Sequence, residues 1–175
     1  MAIRIGFLSV TPESTGSPIT GPSVSPQAPG SIEVLEMKHT LTHEYDAVHG
    51  APSGDRKHQP LYITKEVDVA TPLLYSICVN AELLTEVKLD YYIQIGNTPE
   101  PVPFFSWTLN NAYVVSVRSI PATEMSVEFS ERYDLLEEVA FAYQQITWEH
   151  HAHRHPAGLV DLDQQIQADA WGGQA

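Results

Sequence analysis

Hydrophobic and polar residues alternate most strictly between Glu86 and Ile95. Val87, Leu89, Tyr91, Ile93 and Ile95 fall on one face, against Lys88, Asp90, Tyr92 and Gln94 on the other, as in a half-buried strand. A second strand is predicted over Gln59–Val67, with Leu61 and Ile63 opposed to Tyr62, Thr64 and Glu66. The period then changes. Leu73, Leu74, Ile77 and Cys78 form an i, i+1, i+4, i+5 stripe, which predicts one short helix over about 71–79. Asp68 or Thr71 can cap it, and Thr71 as the cap puts Pro72 at the first helical position, where its missing N–H is harmless. Further strands are expected at Ile3–Val10 (Ile3, Ile5 and Phe7 on one face), at Ile32–Met37, and weakly around Tyr45 and Val48. Phe104–Leu109 and Ala112–Ser119 read as a hairpin turning at Asn110-Asn111. In Glu137–His150, Val139, Phe141 and Tyr143 point one way and Ile146 and Trp148 the other. A helical period also fits 133–146, but β-branched and aromatic residues favour the strand.

Chain breakers divide these elements. Thr11–Gly30 carries five prolines among Gly, Ser and Thr and reads as a long surface loop, mobile or functional. Gly50, Pro52, Ser53 and Gly54 make His49–Lys57 a turn-rich connection too long for a tight hairpin, and Gly96–Pro99 marks another turn. Many short strands and one helix predict a mainly β fold: a compact β-barrel of two sheets with one flanking short helix. It is expected as a single domain over 1–150, with a polar, His/Gln/Asp-rich and peripheral tail over 151–175.

Composition narrows what such a barrel can do. Lys and Arg number 9 against 22 Asp and Glu, a net charge of −13 over 175 residues, which disfavours nucleic acid and anionic lipid as partners. No apolar run is long enough for a membrane helix. Met1–Val10 lacks the basic region and long apolar core of a cleaved signal peptide; synthesis in the cytoplasm is expected, with any export by a route that reads no leader. The single cysteine, Cys78, excludes an intrachain disulfide and reads as a buried, inert thiol. His150, His151, His153 and His155 are the metal temptation, but they come from one segment, whereas metal sites gather ligands from separate elements. His39 and His43 sit in an extended pattern and share no helical face. The carboxylate pairs Glu137/Glu138 and Asp161/Asp163 read as acidic surface, and there is no nucleophile elbow or phosphate-cradling loop. No catalytic residue, metal site or cofactor is expected. Arg56, Lys57 and His58 read either as a solubilising strand start or as cations that offset repulsion between copies of an acidic chain.

Several segments carry a family resemblance: Arg56-x-His-x-Pro60, Thr64-Lys-Glu-Val-Asp-x-Ala-Thr-Pro-Leu-Leu-Tyr75, Val87–Tyr92, Phe105–Val115 and Val139–His150, with a late Asp169-Ala-Trp171. In order and spacing they resemble the haemolysin-coregulated (Hcp) proteins, the inner-tube proteins of bacterial type VI secretion systems. The resemblance implies a subunit of hexameric rings that stack into a tube, pushed outward by a contractile sheath behind a spike protein, with effectors as lumen cargo. It implies export through that apparatus to the extracellular space or a target cell. It also implies that the extended loop, here Thr42–Lys57, meets the next ring, which makes Glu44, Tyr45, Asp46, His49, Arg56, Lys57 and His58 interface candidates. Tyr143 and Trp148 join them because large aromatics concentrate at interfaces. Rival readings are a soluble β-barrel module binding carbohydrate or a small molecule, a metal-dependent enzyme using the histidine tail, and a phage tail-tube-like protein.

Overall fold

The computed structural model describes residues 4–94, 100–151 and 165–170. Ile3, Ile95, the Gly96–Pro99 turn, His153, His155, Asp161, Asp163 and Trp171 lie outside the described residues. The strands are β1 (Arg4–Pro12), β2 (Ile32–Val34), β3 (Glu36–Lys38), β4 (Leu41–Tyr45), β5 (Pro52–His58), β6 (Leu61–Glu66), β7 (Leu84–Ile93), β8 (Val102–Pro121), β9 (Leu135–His150) and β10 (Gln165–Ala170). The helices are α1 (Thr71–Val79) and the single turn α2 (Val127–Ser130).

All pairings are antiparallel. The main sheet runs β2-β1-β7-β8-β9-β6-β3, with β10 also on β9, and β4 and β5 form a separate ribbon. The segment 32–38 nearly closes the sheet into a barrel. Ile32–Val34 pairs with β1, Glu36–Lys38 pairs with β6, and between them the Leu35 N–H donates to Thr64 O at 2.8 Å. The core fills this barrel with Leu8, Val10, Ile32, Leu61, Ile63, Leu89, Val139, Phe141 and Ile146, all at or near zero exposure. The mainly β barrel with a flanking helix agrees with the expectation.

The hairpin expected at Asn110-Asn111 is absent. β8 is one strand of 20 residues, and its pairing with β9 runs on through Asn110↔Gln145 to Ala112↔Tyr143. Asn111 does adopt the left-handed backbone a turn asks for, with φ 49°, yet it bends the strand rather than reversing it. Across this corner the buried positions change parity: Leu109 gives way to Ala112 and Val114 on β8, and Ile146 to Tyr143 and Phe141 on β9. The two long strands thus pass from one sheet of the barrel to the other. For the same reason Val139, Phe141, Tyr143 and Ile146 all join one core, although a flat strand would send Ile146 to the opposite side.

At the corner β9 changes partner. Residues 136–141 pair with β6, and 145–150 pair with β10. The polar tail therefore supplies a strand that covers an edge otherwise left open, and nothing in its hydropathy announced this. Thr11–Gly30 is, as expected, without helix or strand beyond the end of β1. It is pinned by Ile19 N–H to Val10 O, Gly21 N–H to Gly30 O and Ser23 N–H to Ser31 O. At Gly21 an added Cβ would lie 2.3 Å from Ser31 O, so only glycine permits this approach.

α1 covers the side of the barrel where β8 runs on beyond β7. Leu74 and Ile77 are buried, while Leu73 is 46 % exposed and Cys78 only half-buried. The expected four-residue stripe is thus two residues wide at full burial, and the thiol is not fully enclosed. The N-cap position is Ala70, with no side-chain cap bond, which puts Thr71 and Pro72 in the first turn. Asp68 and Thr71 instead bond each other's loop: Ala70 N–H donates to Asp68 Oδ1 at 2.7 Å, and Asp68 N–H to Thr71 Oγ1 at 3.0 Å. Thr71 does not cap because it already lies inside the helix, and its hydroxyl oxygen accepts from Asp68 N–H before the helix while its proton goes to the buried Glu137.

Candidate functional site

Two polar knots interrupt the barrel's apolar interior, and both are built from the segments singled out in the sequence. The first holds α1. Lys65 shares the inward face of β6 with Leu61 and Ile63 and has no exposed surface. Its ammonium donates to Glu137 Oε1 on β9 at 2.8 Å, to Glu66 O at 2.6 Å, and lies 2.9 Å from Asp68 Oδ2. Thr71 Oγ1 donates to the same Glu137 oxygen at 2.8 Å. Glu137 is fully buried, and its Oε2 has no hydrogen-bond partner among the described residues. A strand, a loop, a helix start and a second strand thus meet on one lysine. Glu138 points the other way, to Arg118, so the Glu137/Glu138 pair is split between core and surface and makes no acid/base dyad.

The second knot closes the seam where β9 leaves β6 for β10. Tyr143, in the three-residue gap between those two pairings, aims its hydroxyl at two imidazoles. His39 Nε2, from the β3–β4 junction, is 2.6 Å away, and His58 Nδ1, at the end of β5, is 2.9 Å away. His58 Nε2 lies 3.1 Å from Asp169 Oδ2 on β10, and Arg56 grips the same carboxylate through Nε and Nη2 at 2.5 and 2.6 Å. The Trp148 ring stands beside His39. Burial and the neighbouring His58 lower the His39 pKa, and burial with the Asp169 charge raises that of Tyr143. Arg56-x-His58 and Asp169, distant in sequence, are therefore two halves of one contact.

From this root the β4–β5 ribbon stands off the barrel, exposed along nearly its whole length. Gln59 N–H to Thr40 O at 3.0 Å closes its base. The span expected as a turn-rich loop is thus largely strand, with the reversal confined to 46–51. Asp46 builds that reversal: it accepts Val48 N–H at 2.8 Å and His49 Nδ1 at 2.6 Å, and its own N–H donates to Ala51 O at 2.8 Å. Along the ribbon Lys57 pairs with Glu44. The hydrogen bonds from Lys57 and His49 lower the pKa of Glu44 and Asp46 respectively. Tyr45 and Val48 are 69 % and 84 % exposed.

The nine residues expected at subunit contacts therefore fall into two sets. Glu44, Tyr45, Asp46, His49 and Lys57 lie on the ribbon, while Arg56, His58, Tyr143 and Trp148 make its root. All three expected cations have partners within the chain. The reasoning from sequence gave no role to His39 or Lys65 and, although the resemblance included Asp169, no partner to that carboxylate. Lys65 was detectable, because it continues the Leu61, Ile63 alternation.

Among the described residues one arrangement resembles a catalytic alignment, and its geometry does not support one. His151 Nε2 lies 2.6 Å from Ser106 Oγ, and Glu149 Oε1 lies 3.6 Å from His151 Nδ1, which resembles a Ser–His–acid alignment. Ser106, however, donates its proton to Asp90 and is 1 % exposed. It also sits between two paired strands, where the ladder consumes the N–H groups an oxyanion would need. Among the described residues no three His, Cys, Asp or Glu gather as metal ligands, and no helix is long and apolar enough to cross a membrane.

Comparison with known proteins places these features in a family. Residues 7–150 match the family model described as type VI secretion system effector, Hcp. The chain is 30% identical over 120 residues to the major exported protein of Pseudomonas aeruginosa, an alignment covering 68% of each chain. It resembles the solved Hcp1 protein of E. coli EAEC 042, in a mutant form, with 27% identity and a TM-score of 0.74 over 95% of this chain and 97% of that one. The secreted protein Hcp3 of Pseudomonas aeruginosa shares the fold, with 21% identity and a TM-score of 0.65 over 97% and 99% of the two chains.

Proposed function

The chain belongs to the Hcp family, the tube proteins of type VI secretion systems, and from that premise we propose that it acts by assembling with copies of itself into hexameric rings that stack as the inner tube. The observation that carries this reading is the β4–β5 ribbon. A lone two-stranded ribbon is marginal in water, and this one bears exposed Tyr45 and Val48 beside a Glu44–Lys57 pair. A second copy would cover that surface. Among the described residues β10 pairs only with β9, and its outer side would offer a sheet edge for a heterologous ring contact. Stacking would fall to the ribbon through Glu44, Tyr45, Asp46, His49 and Lys57, with Arg56, His58, Tyr143 and Trp148 holding its root.

In this reading the protein makes and breaks no bonds. Its work is mechanical: a sheath drives the tube outward behind a spike, the lumen carries effectors, and the protein leaves the cell with the tube. The sequence likeness to a protein named for its export supports that destination. Native mass spectrometry tests the assembly. Six-copy rings are expected at high protein concentration, and an exclusively monomeric species there would overturn the reading.

A further inference from the structure

β10 extends the main sheet without adding to its core. Ile166, Gln167 and Ala168 are exposed and Asp169 is half-buried, so polar bonds hold the strand. Its ladder with β9 runs from Gln165↔His150 to Ala170↔Gln145. Asp169 stands opposite Ile146 and so faces the barrel side. There Arg56 takes its carboxylate through Nε and Nη2 at 2.5 and 2.6 Å, and His58 Nε2 lies 3.1 Å away. This grip fixes the register, because a slip of one residue along β9 would turn Asp169 to the outer face, away from Arg56. The barrel thus presents a dock, the β9 edge 145–150 with its Arg56–His58 clamp, for an extended segment that carries a carboxylate at one set position.

That dock reads backbone and one carboxylate, and both are the same in the tail of a second copy. Strands whose ends pair directly, as His150 and Gln165 do, are commonly joined by about two to five residues. Here fourteen, 151–164, intervene. A connection of that length concentrates the tail only weakly at its own dock. It can span up to about 45 Å, against a width of about 40 Å for a domain of this size, so the tail can reach a copy alongside. Exchange remakes the same ladder and the same Arg56–Asp169 contact, and its net cost is that of bringing two copies together.

We propose that β10 is an exchangeable strand: among associated copies, Gln165–Ala170 of one chain docks on β9 of the next, with Asp169 in that copy's Arg56–His58 clamp. Each exchanged tail fastens two subunits through backbone hydrogen bonds and one ion pair. The exchange rests on the tube reading only for what holds copies at close quarters, and it needs no ring symmetry of its own.

Cysteine trapping on the full-length protein tests the exchange. Thr147 and Ala168 stand directly opposite on the outer face of the β9–β10 pair, where facing Cα atoms lie about 4.5–5.5 Å apart, a separation that a disulfide accepts. In a Cys78→Ser background, one chain carries Thr147→Cys and another Ala168→Cys. A third, carrying both, should close its own bridge at high dilution and so show that the pair is competent. Under mild oxidation, at the concentration where copies associate, the mixture should give a 147–168 bridge between chains. Its yield should stand well above the 147–147 and 168–168 products of chance encounter. Asp169→Ala in the Ala168→Cys chain should lower that yield roughly tenfold, because the strand then lacks its carboxylate for Arg56. A mixed bridge no more abundant than the like-with-like ones, or one insensitive to Asp169→Ala, overturns the exchange. So does a double variant that fails to close. Native mass spectrometry of the same mixture keeps the two readings apart. Six-copy rings without the mixed bridge strike the exchange alone, and a mixed bridge found only in other assemblies strikes the ring reading alone.

Discussion

The two polar knots solve the same problem with opposite chemistry. At the start of α1, Lys65, Glu137 and Asp68 bring full charges into a dry interior, where a single donor group serves four acceptors. At the ribbon root, Tyr143 and two histidines join through side-chain hydrogen bonds and meet the Arg56–Asp169 ion pair at the rim, where Asp169 and Arg56 are 21% and 28% exposed. The first knot allows no rearrangement, since moving any member strands a buried charge. The second keeps its charged pair partly in water, so cutting it strands less. The barrel thus fixes its helix with buried charge and holds its projecting ribbon with aromatic side-chain hydrogen bonds and a partly exposed ion pair.

The largest effect should come from breaking the charged knot on one side only. Lys65→Met leaves Glu137 buried without its cation and should destabilise the fold by about 3–5 kcal/mol, read as a lower urea midpoint. Lys65→Met with Glu137→Leu removes both charges and should recover most of that loss, since Asp68 keeps its bond from Ala70 N–H. A double variant as unstable as the single one would show that the pair contributes more than its own desolvation penalty.

At the ribbon root the equivalent cut is Asp169→Ala, which removes a bidentate Arg56 contact and the His58 bond together. About 1–2 kcal/mol is expected, below the range for a fully buried charged partner because the carboxylate is partly in water. The loss should be local. Protease cleavage near β10 should accelerate while the rest of the barrel stays protected. Global unfolding at the Lys65→Met level would remove the contrast between the knots.

Much of this architecture was legible in sequence, for reasons that also mark where reading stopped. Strict alternation located β6 and β7, and the change to a 3.6 period located α1, because a half-buried strand or helix writes its own burial into the chain. The corner at Asn111 was misread as a hairpin because a left-handed Asn serves a bend as well as a reversal, and only cross-strand partners distinguish them. β10 was missed because its role is to satisfy a backbone edge and place one carboxylate, neither of which requires apolar residues. The resemblance had already flagged Arg56-x-His58 and Asp169 separately. That they touch is a fact of topology, set by where β9 exchanges β6 for β10.

The pH response should separate the knots further. His39 has a folded pKa below the ordinary 6.5 because it is partly buried beside His58. Between the two values the unfolded chain binds more protons, so stability is full above pH 6.5 and falls as pH drops from there toward the folded pKa. Tyr143 has a raised pKa, from burial and the Asp169 charge. The unfolded chain then loses its proton first, and stability falls as pH rises past about 10. Urea midpoints across pH should show both slopes, with His39→Gln flattening the acid one and Tyr143→Phe the alkaline one. Unchanged slopes in these variants would place the titrating groups elsewhere.

The smallest effect on the single chain should come from the ribbon itself. Glu44 is exposed, and although the Lys57 hydrogen bond holds its pKa below the ordinary value, an exposed pair of this kind contributes little to folding once water screens it. Glu44→Gln should therefore leave the urea midpoint unchanged within error. In assembly the same pair would be desolvated against another copy, where losing one partner leaves the other charge covered and unmatched. On the stacked-ring reading, Glu44→Gln should leave six-copy rings intact but weaken their end-to-end association, and the loss should shrink as salt is raised and screening removes the pair's advantage. A variant that stacks as well as the parent at every salt concentration would take the ribbon's charges out of the interface and leave Tyr45 and Val48 to hold the rings together.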